Sequence, residues 1–129
     1  MLDLLKKIFG GKSGATGQVG ELAAVKFLKR EKGFKICERN WRSGRDEIDL
    51  IAYEFDILVF VEVKTRRAGG LVPGYYSVDD RKKCALKRVA QAYMRTLKQA
   101  PNTYRLDVVE VNRFPEKEWE IFHFSNIDW

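Results

Sequence analysis

The sequence predicts an α/β domain whose elements run α-β-β-β-α-β-β. Three observations predict it. Two segments, about 17–32 and 78–97, carry apolar residues at helical spacing, and five shorter segments alternate or run apolar with β-branched and aromatic side chains. The chain has 129 residues, 45% of them apolar and 33% charged, which is the size and composition of one globular unit without a linker or repeat array.

The first 13 residues precede this domain as a flexible or weakly docked segment, and residues 14–129 form the single domain. "MLDLLKKIFGGKSGATG" has no apolar run of signal-peptide or membrane-span length, because Asp3, Lys6 and Lys7 interrupt it. "GGKSG" lacks a glycine six residues before Lys12 and a preceding strand, so it is a linker and not a phosphate-binding loop. "GQVGELAAVKFLKREKG" is the first helix, with basic residues in its last turn and Gly33 as its cap. At 100° per residue, Ala24, Val25 and Leu28 lie within about 60° of Glu21, so this acid shares the apolar face. Complementing the helix dipole would explain it as well as a functional role.

"FKICERNWR" and "EIDLIAY" are the next two strands, separated by the turn "SGRD". "ILVFVEVKT" is apolar on both faces and is expected to be central and covered on both sides. After "RRAGGLVPGYY" comes the second helix, ended by Pro101 and Asn102. "YRLDVVEVN" is the fourth strand, and "EWEIFHFS" the fifth, with Trp119 and Ile121 on one face. His123, solitary on that last strand, is expected to be structural.

The segment "DEIDLIAYEFDILVFVEVKTRR" carries Asp49, Glu62 and Lys64 in its most apolar parts. A buried unpaired charge costs several kcal/mol or neutralises itself by a pKa shift. A hairpin turning at Phe55-Asp56, or around a four-residue loop over 54–57, sets Asp49 opposite Glu62 with Cβ atoms about 4.5–5.5 Å apart. The longer loop is preferred because Phe-Asp is a poor two-residue turn, and a one-residue slip would abolish the opposition. Period two puts Phe60, Glu62 and Lys64 on one face. Two opposed carboxylates make sense around a hard divalent cation, Mg²⁺ or Mn²⁺, with the ammonium beside it suited to phosphodiester hydrolysis. Taken singly, an E-x-K is an exposed ion pair and an Asp in a strand a hydrogen-bonded structural residue.

These residues resemble a known pattern. An acid on the first helix, Asp on one strand and E-x-K on the next are similar to the restriction-endonuclease-like PD-(D/E)XK nuclease superfamily. More narrowly, residues 17–67, "VDDRKK" and "YRLDVVEV" resemble the YraN-like family of uncharacterised bacterial proteins, related to archaeal Holliday-junction resolvases, over about residues 14–125. The resemblance implies a restriction-endonuclease-like core, a mixed five-stranded sheet flanked by helices. It further implies Asp49 and Glu62 as metal ligands with the Val63 carbonyl, Lys64 as the catalytic lysine, and Glu21 completing the catalytic set. The family's usual Gly-Glu-Ile-Asp is Asp46-Glu47-Ile48-Asp49 here, and Ile48 stands where the superfamily has proline, so the strand entry differs. Lys82 matches a recurring lysine for which phosphate contact is a role; a solvated helix face explains it equally.

The formal charge is +6 with a pI near 9.4, which favours anionic partners. Arg42, Arg45, Arg66, Arg67, Lys82 and Lys83 belong to a basic cluster around the acidic residues in sequence and are the candidate nucleic-acid contacts. Trp41, Tyr75 and Tyr76 could stack on bases or simply pack. The expected partner is nucleic acid, most simply DNA, without a membrane; symmetric cleavage of a junction would need two sites, as in a homodimer. Cys37 and Cys84, far apart and outside any C-x-x-C, fit a reducing cytoplasm. Two other classes compete with a nuclease: a nucleic-acid-binding module without turnover, and a structural or assembly protein whose charge is incidental.

Overall fold

The computed structural model describes residues 15–67 and 78–129. The expectations for segment 1–13 and for Tyr75 and Tyr76 lie outside them. Helix α1 spans Ala15–Glu31, followed by β1 (Lys35–Ser43), β2 (Asp46–Glu54), β3 (Ile57–Arg67), α2 (Asp80–Arg95), β4 (Thr103–Arg113) and β5 (Glu120–Ile127). The order is the predicted one, α-β-β-β-α-β-β.

Local chemistry sets the helix ends. Gly33 takes φ +71°, where a side chain would be strained, and the chain reverses so that the Phe34 N–H donates to the Leu28 carbonyl at 2.9 Å. Asp79 caps α2, its side chain accepting the Lys82 backbone N–H at 2.8 Å.

The five strands form one mixed sheet in sequential order, antiparallel except for β3 and β4, which are parallel. Parallel neighbours need a crossover, and α2 is that crossover. Alternation then sorts the side chains into two cores. Ala24, Val25 and Leu28 of α1 pack on Leu50, Ala52, Val59, Val61, Val109 and Val111; Leu86, Val89, Ala90 and Tyr93 of α2 pack on Ile51, Leu58, Phe60, Leu106 and Val108. Strand β3 is therefore covered on both faces, as its apolar composition requires.

The β2–β3 hairpin has the anticipated register, with Leu50 opposite Val61 and Glu54 opposite Ile57. Its connection differs from the preferred four-residue loop: Glu54 and Ile57 are paired, leaving a two-residue turn of Phe55 and Asp56. Phe55 meets the turn's demand by taking φ +55° and projecting almost entirely into solvent. Ladder pairing outweighs the poor turn chemistry of this dipeptide.

Candidate active site

The paired register of β2 and β3 ends at Leu50 and Val61. Continued antiparallel pairing would offer the Val63 N–H a main-chain carbonyl of β2. Instead it donates to Asp49 Oδ2 at 2.8 Å, so a side chain takes over where the two strands part. The parting has a packing cause in view: Ile48 joins the core under α2, whereas Leu50, two residues on, faces α1, so the strand turns over between them. Asp49 lies at that turn-over.

Glu62, 7% exposed, closes the other side of the site. Burial is the largest influence on Asp49, followed by the charge of Glu62 and a hydrogen bond between the two carboxyls. The Val63 N–H opposes them only in part, and Asp49 is pushed up to about 8. Glu62 also has a cation: Lys82 Nζ lies 2.9 Å from its Oε2.

Glu21 enters from α1. Burial raises its pKa, Glu47 and Glu62 add to the rise, and Arg39 works against it; its Oε1 is buried without a hydrogen-bond partner among the described residues. The preceding residue explains how α1 comes so close. A Cβ on Gly20 would collide with Thr65 Oγ1, so the helix backbone rests directly on the Thr65 side chain of β3. Three of the four anticipated catalytic residues, Glu21, Asp49 and Glu62, thus act on one another electrostatically. Lys64 is exposed on β3, on the strand face that carries Glu62, with Glu110 of β4 as its register partner.

The oxygen atoms of Asp49 and Glu62, with the Val63 peptide between the strands, suit a hard cation, and the buried, unpartnered Oε1 of Glu21 adds an acceptor. Among the described residues no group of three or more His, Cys, Asp or Glu side chains is placed to hold a metal ion, so side-chain ligation by this set rests on the Asp49–Glu62 pair.

The basic residues divide. Arg42 pairs with Glu47 at 2.6 Å, and Arg66 Nε lies 2.6 Å from the fully buried Glu110. Arg45 and Arg67 are exposed and Lys83 is half-buried. Arg88 donates twice to Asp46, at 2.7 and 2.8 Å, which is how the unusual strand entry is accommodated and why the Asp46 carboxyl is held low. Trp41 packs edge-to-face on Tyr93 with ring centroids 5.1 Å apart, so packing accounts for it.

The structure adds two buried acids of β4 that the sequence expectations do not include. Glu110 lies under Arg66, and Asp107, fully buried, receives Arg105, His123, Ser125 and the Asn126 N–H. Their signal was available: charges inside the apolar run "LDVVEV" obey the same rule that singled out Asp49. His123 has the structural place anticipated for it, between Phe27, Phe34 and Asp107. Among the described residues no helix is long and apolar enough to cross a membrane.

Comparison with known proteins adds the family. The family model for the uncharacterised protein family UPF0102 matches residues 20–111. A UPF0102 protein of Lawsonia intracellularis is 40% identical over 116 residues, covering 90% of this chain and 86% of that protein. One from Alkaliphilus oremlandii is 38% identical, covering 85% and 94%, and one from Caldicellulosiruptor saccharolyticus is 46% identical, covering 74% and 80%. The matched stretch runs from the glycine that seats α1 into β4, and on these grounds the chain belongs to the UPF0102 family.

Proposed function

We propose that this protein is a metal-dependent endonuclease-like enzyme that binds DNA, branched or structured forms included, and hydrolyses its phosphodiester bonds. The observation that carries the proposal is the carboxyl pair of half-buried Asp49 and buried Glu62, held together where β2 and β3 part. A fold stabilised only by packing gains nothing from such a pair, since like charges in contact destabilise a sheet. Asp49, Glu62 and the Val63 carbonyl would hold Mg²⁺ or Mn²⁺, with Glu21 completing the acidic wall. When bound, the cation supplies Lewis acidity toward a phosphoryl oxygen. Lys64, exposed on the strand face of Glu62, orients the attacking nucleophile and offsets negative charge developing on the phosphate. The exposed Arg45 and Arg67, with Lys83, offer contacts to neighbouring phosphates.

The test is a cleavage panel on duplex, single-stranded and branched DNA and on RNA, with Mg²⁺ or Mn²⁺. Metal-dependent products that disappear in Asp49→Ala and Lys64→Ala are expected. No product from any of these nucleic acids with either cation would overturn the proposal.

One observation favours a second reading, a nucleic-acid-binding module without turnover: Lys82 already neutralises Glu62 from within the chain. That reading predicts salt-sensitive DNA binding that survives Glu62→Ala, with no cleavage by the unaltered protein.

A further inference from the structure

The Lys82–Glu62 contact carries a consequence for how the site changes state. Glu62 is buried, and Lys82 Nζ is 2.9 Å from it, but the Lys82 side chain remains 45% exposed. The two ends of this lysine are held differently. Its backbone N–H is fixed by the Asp79 cap at 2.8 Å in the first turn of α2, while its ammonium sits on a flexible four-carbon stem at the rim. An ammonium so placed supplies the counter-charge that a buried carboxylate beside another carboxylate needs. A divalent cation would need the same oxygen atoms and would repel the ammonium.

We propose that Lys82 is a built-in counter-cation of the carboxylate pair, displaced from Glu62 when a divalent cation binds and thereby released toward a phosphate at the same edge. The inference rests on the metal site proposed above and adds its regulation. Lys82 lowers the affinity of the site for cation, keeps the cation-free fold from carrying unneutralised charge, and couples cation entry to the appearance of a mobile positive group. The anchored N–H means that release moves the side chain and leaves the helix in place.

The experiment is a Mn²⁺ titration followed by calorimetry and by the electron paramagnetic resonance of free Mn²⁺, without nucleic acid, on the unaltered chain, Lys82→Gln, Glu62→Gln and Lys87→Gln. Lys82→Gln is expected to bind Mn²⁺ about tenfold more tightly, the scale of one competing ion pair plus one removed repulsion. Lys87→Gln, which removes the same charge one and a half turns further along α2, is expected to change affinity by less than about twofold because separated exposed charges are screened. Binding that Glu62→Gln abolishes, with equal affinity in Lys82→Gln and the unaltered chain, would overturn the counter-cation while sparing the metal site. Absence of Glu62-dependent binding in both the unaltered chain and Lys82→Gln would overturn the metal site and the counter-cation with it.

Discussion

Asp49 and Asp107 are both acids set inside apolar strands, and the protein treats them in opposite ways. Asp107 sits where two residues of β5, Ser125 and Asn126, face one residue of β4, and its carboxylate fills that bulge. Arg105 reaches it at 2.8 and 3.1 Å, His123 at 2.7 Å, and the Asn126 N–H at 3.0 Å. Burial alone would raise its pKa, but the hydrogen bonds from His123, Arg105 and Asn126 prevail and hold it low. Asn126 tolerates the left-handed φ of +58° that aims its N–H inward. Asp49 has one N–H and another carboxyl, and is pushed up to about 8. A buried charge that the fold fully satisfies is architecture; one that the fold leaves short of donors and beside a like charge is kept for something the chain does not itself supply.

The largest effect should come from breaking the satisfied side. Asp107→Ala removes the carboxylate that Arg105 and His123 share and leaves Arg105 with Glu54 alone, 2.9 Å away, so urea unfolding should show a loss of about 3 kcal/mol, the lower end for removing one member of a buried ion pair. Its pH dependence sharpens the contrast. Because its folded pKa is lowered, the stability Asp107 contributes is present above about pH 4 and is lost as pH falls through the folded value.

The unsatisfied side should behave with the opposite sign. A folded pKa raised to about 8 means that stability is undiminished below about pH 4 and erodes as pH rises through 8. Asp49→Asn should therefore match the unaltered chain at pH 4 and exceed it at pH 8 by about 1–3 kcal/mol in unfolding measured without divalent cation. A variant less stable than the unaltered chain at pH 8 would place Asp49 among the architectural acids.

A smaller effect probes how the acidic wall is assembled. Intrinsic propensity favours Ala over Gly within a helix by about 0.5–1 kcal/mol. With Thr65 Oγ1 in the way, Gly20→Ala should instead cost about 1–2 kcal/mol, and Thr65→Ala in the same chain should recover most of it. Thermal unfolding of the two single variants and the double variant closes the cycle.

Much of this was legible in the linear chain because it depends on period. The 3.6-residue spacing of Ala24, Val25 and Leu28 brought Glu21 onto the buried face of α1. Period-two alternation made β3 central, and the register of the apolar pairs from Leu50–Val61 onward leaves Asp49 close to Glu62 where the two strands part. Asp107 and Glu110 were equally visible as charges within an apolar strand, and were missed because their partners Arg105, His123 and Arg66 become partners only when β3, β4 and β5 lie side by side.

The basic residues show the boundary most clearly. Their number and sequence clustering follow from composition, but which of them remain available to a phosphate does not. Arg42 is committed to Glu47, Arg66 to Glu110 and Arg88 to Asp46, each by a contact of one hydrogen-bond length between different elements or across neighbouring strands. By itself the sequence determined the order of elements, the two faces of the sheet and the register of the β2–β3 hairpin up to Leu50 and Val61, because these follow from local periodicity and the exclusion of apolar groups from water. The parallel pairing of β3 with β4, the parting of β2 from β3 at Asp49 and the choice of Lys82 as the cation for Glu62 were decided only in the tertiary structure. Charge pairing acts over a few ångströms in space, and no spacing along the chain encodes that distance.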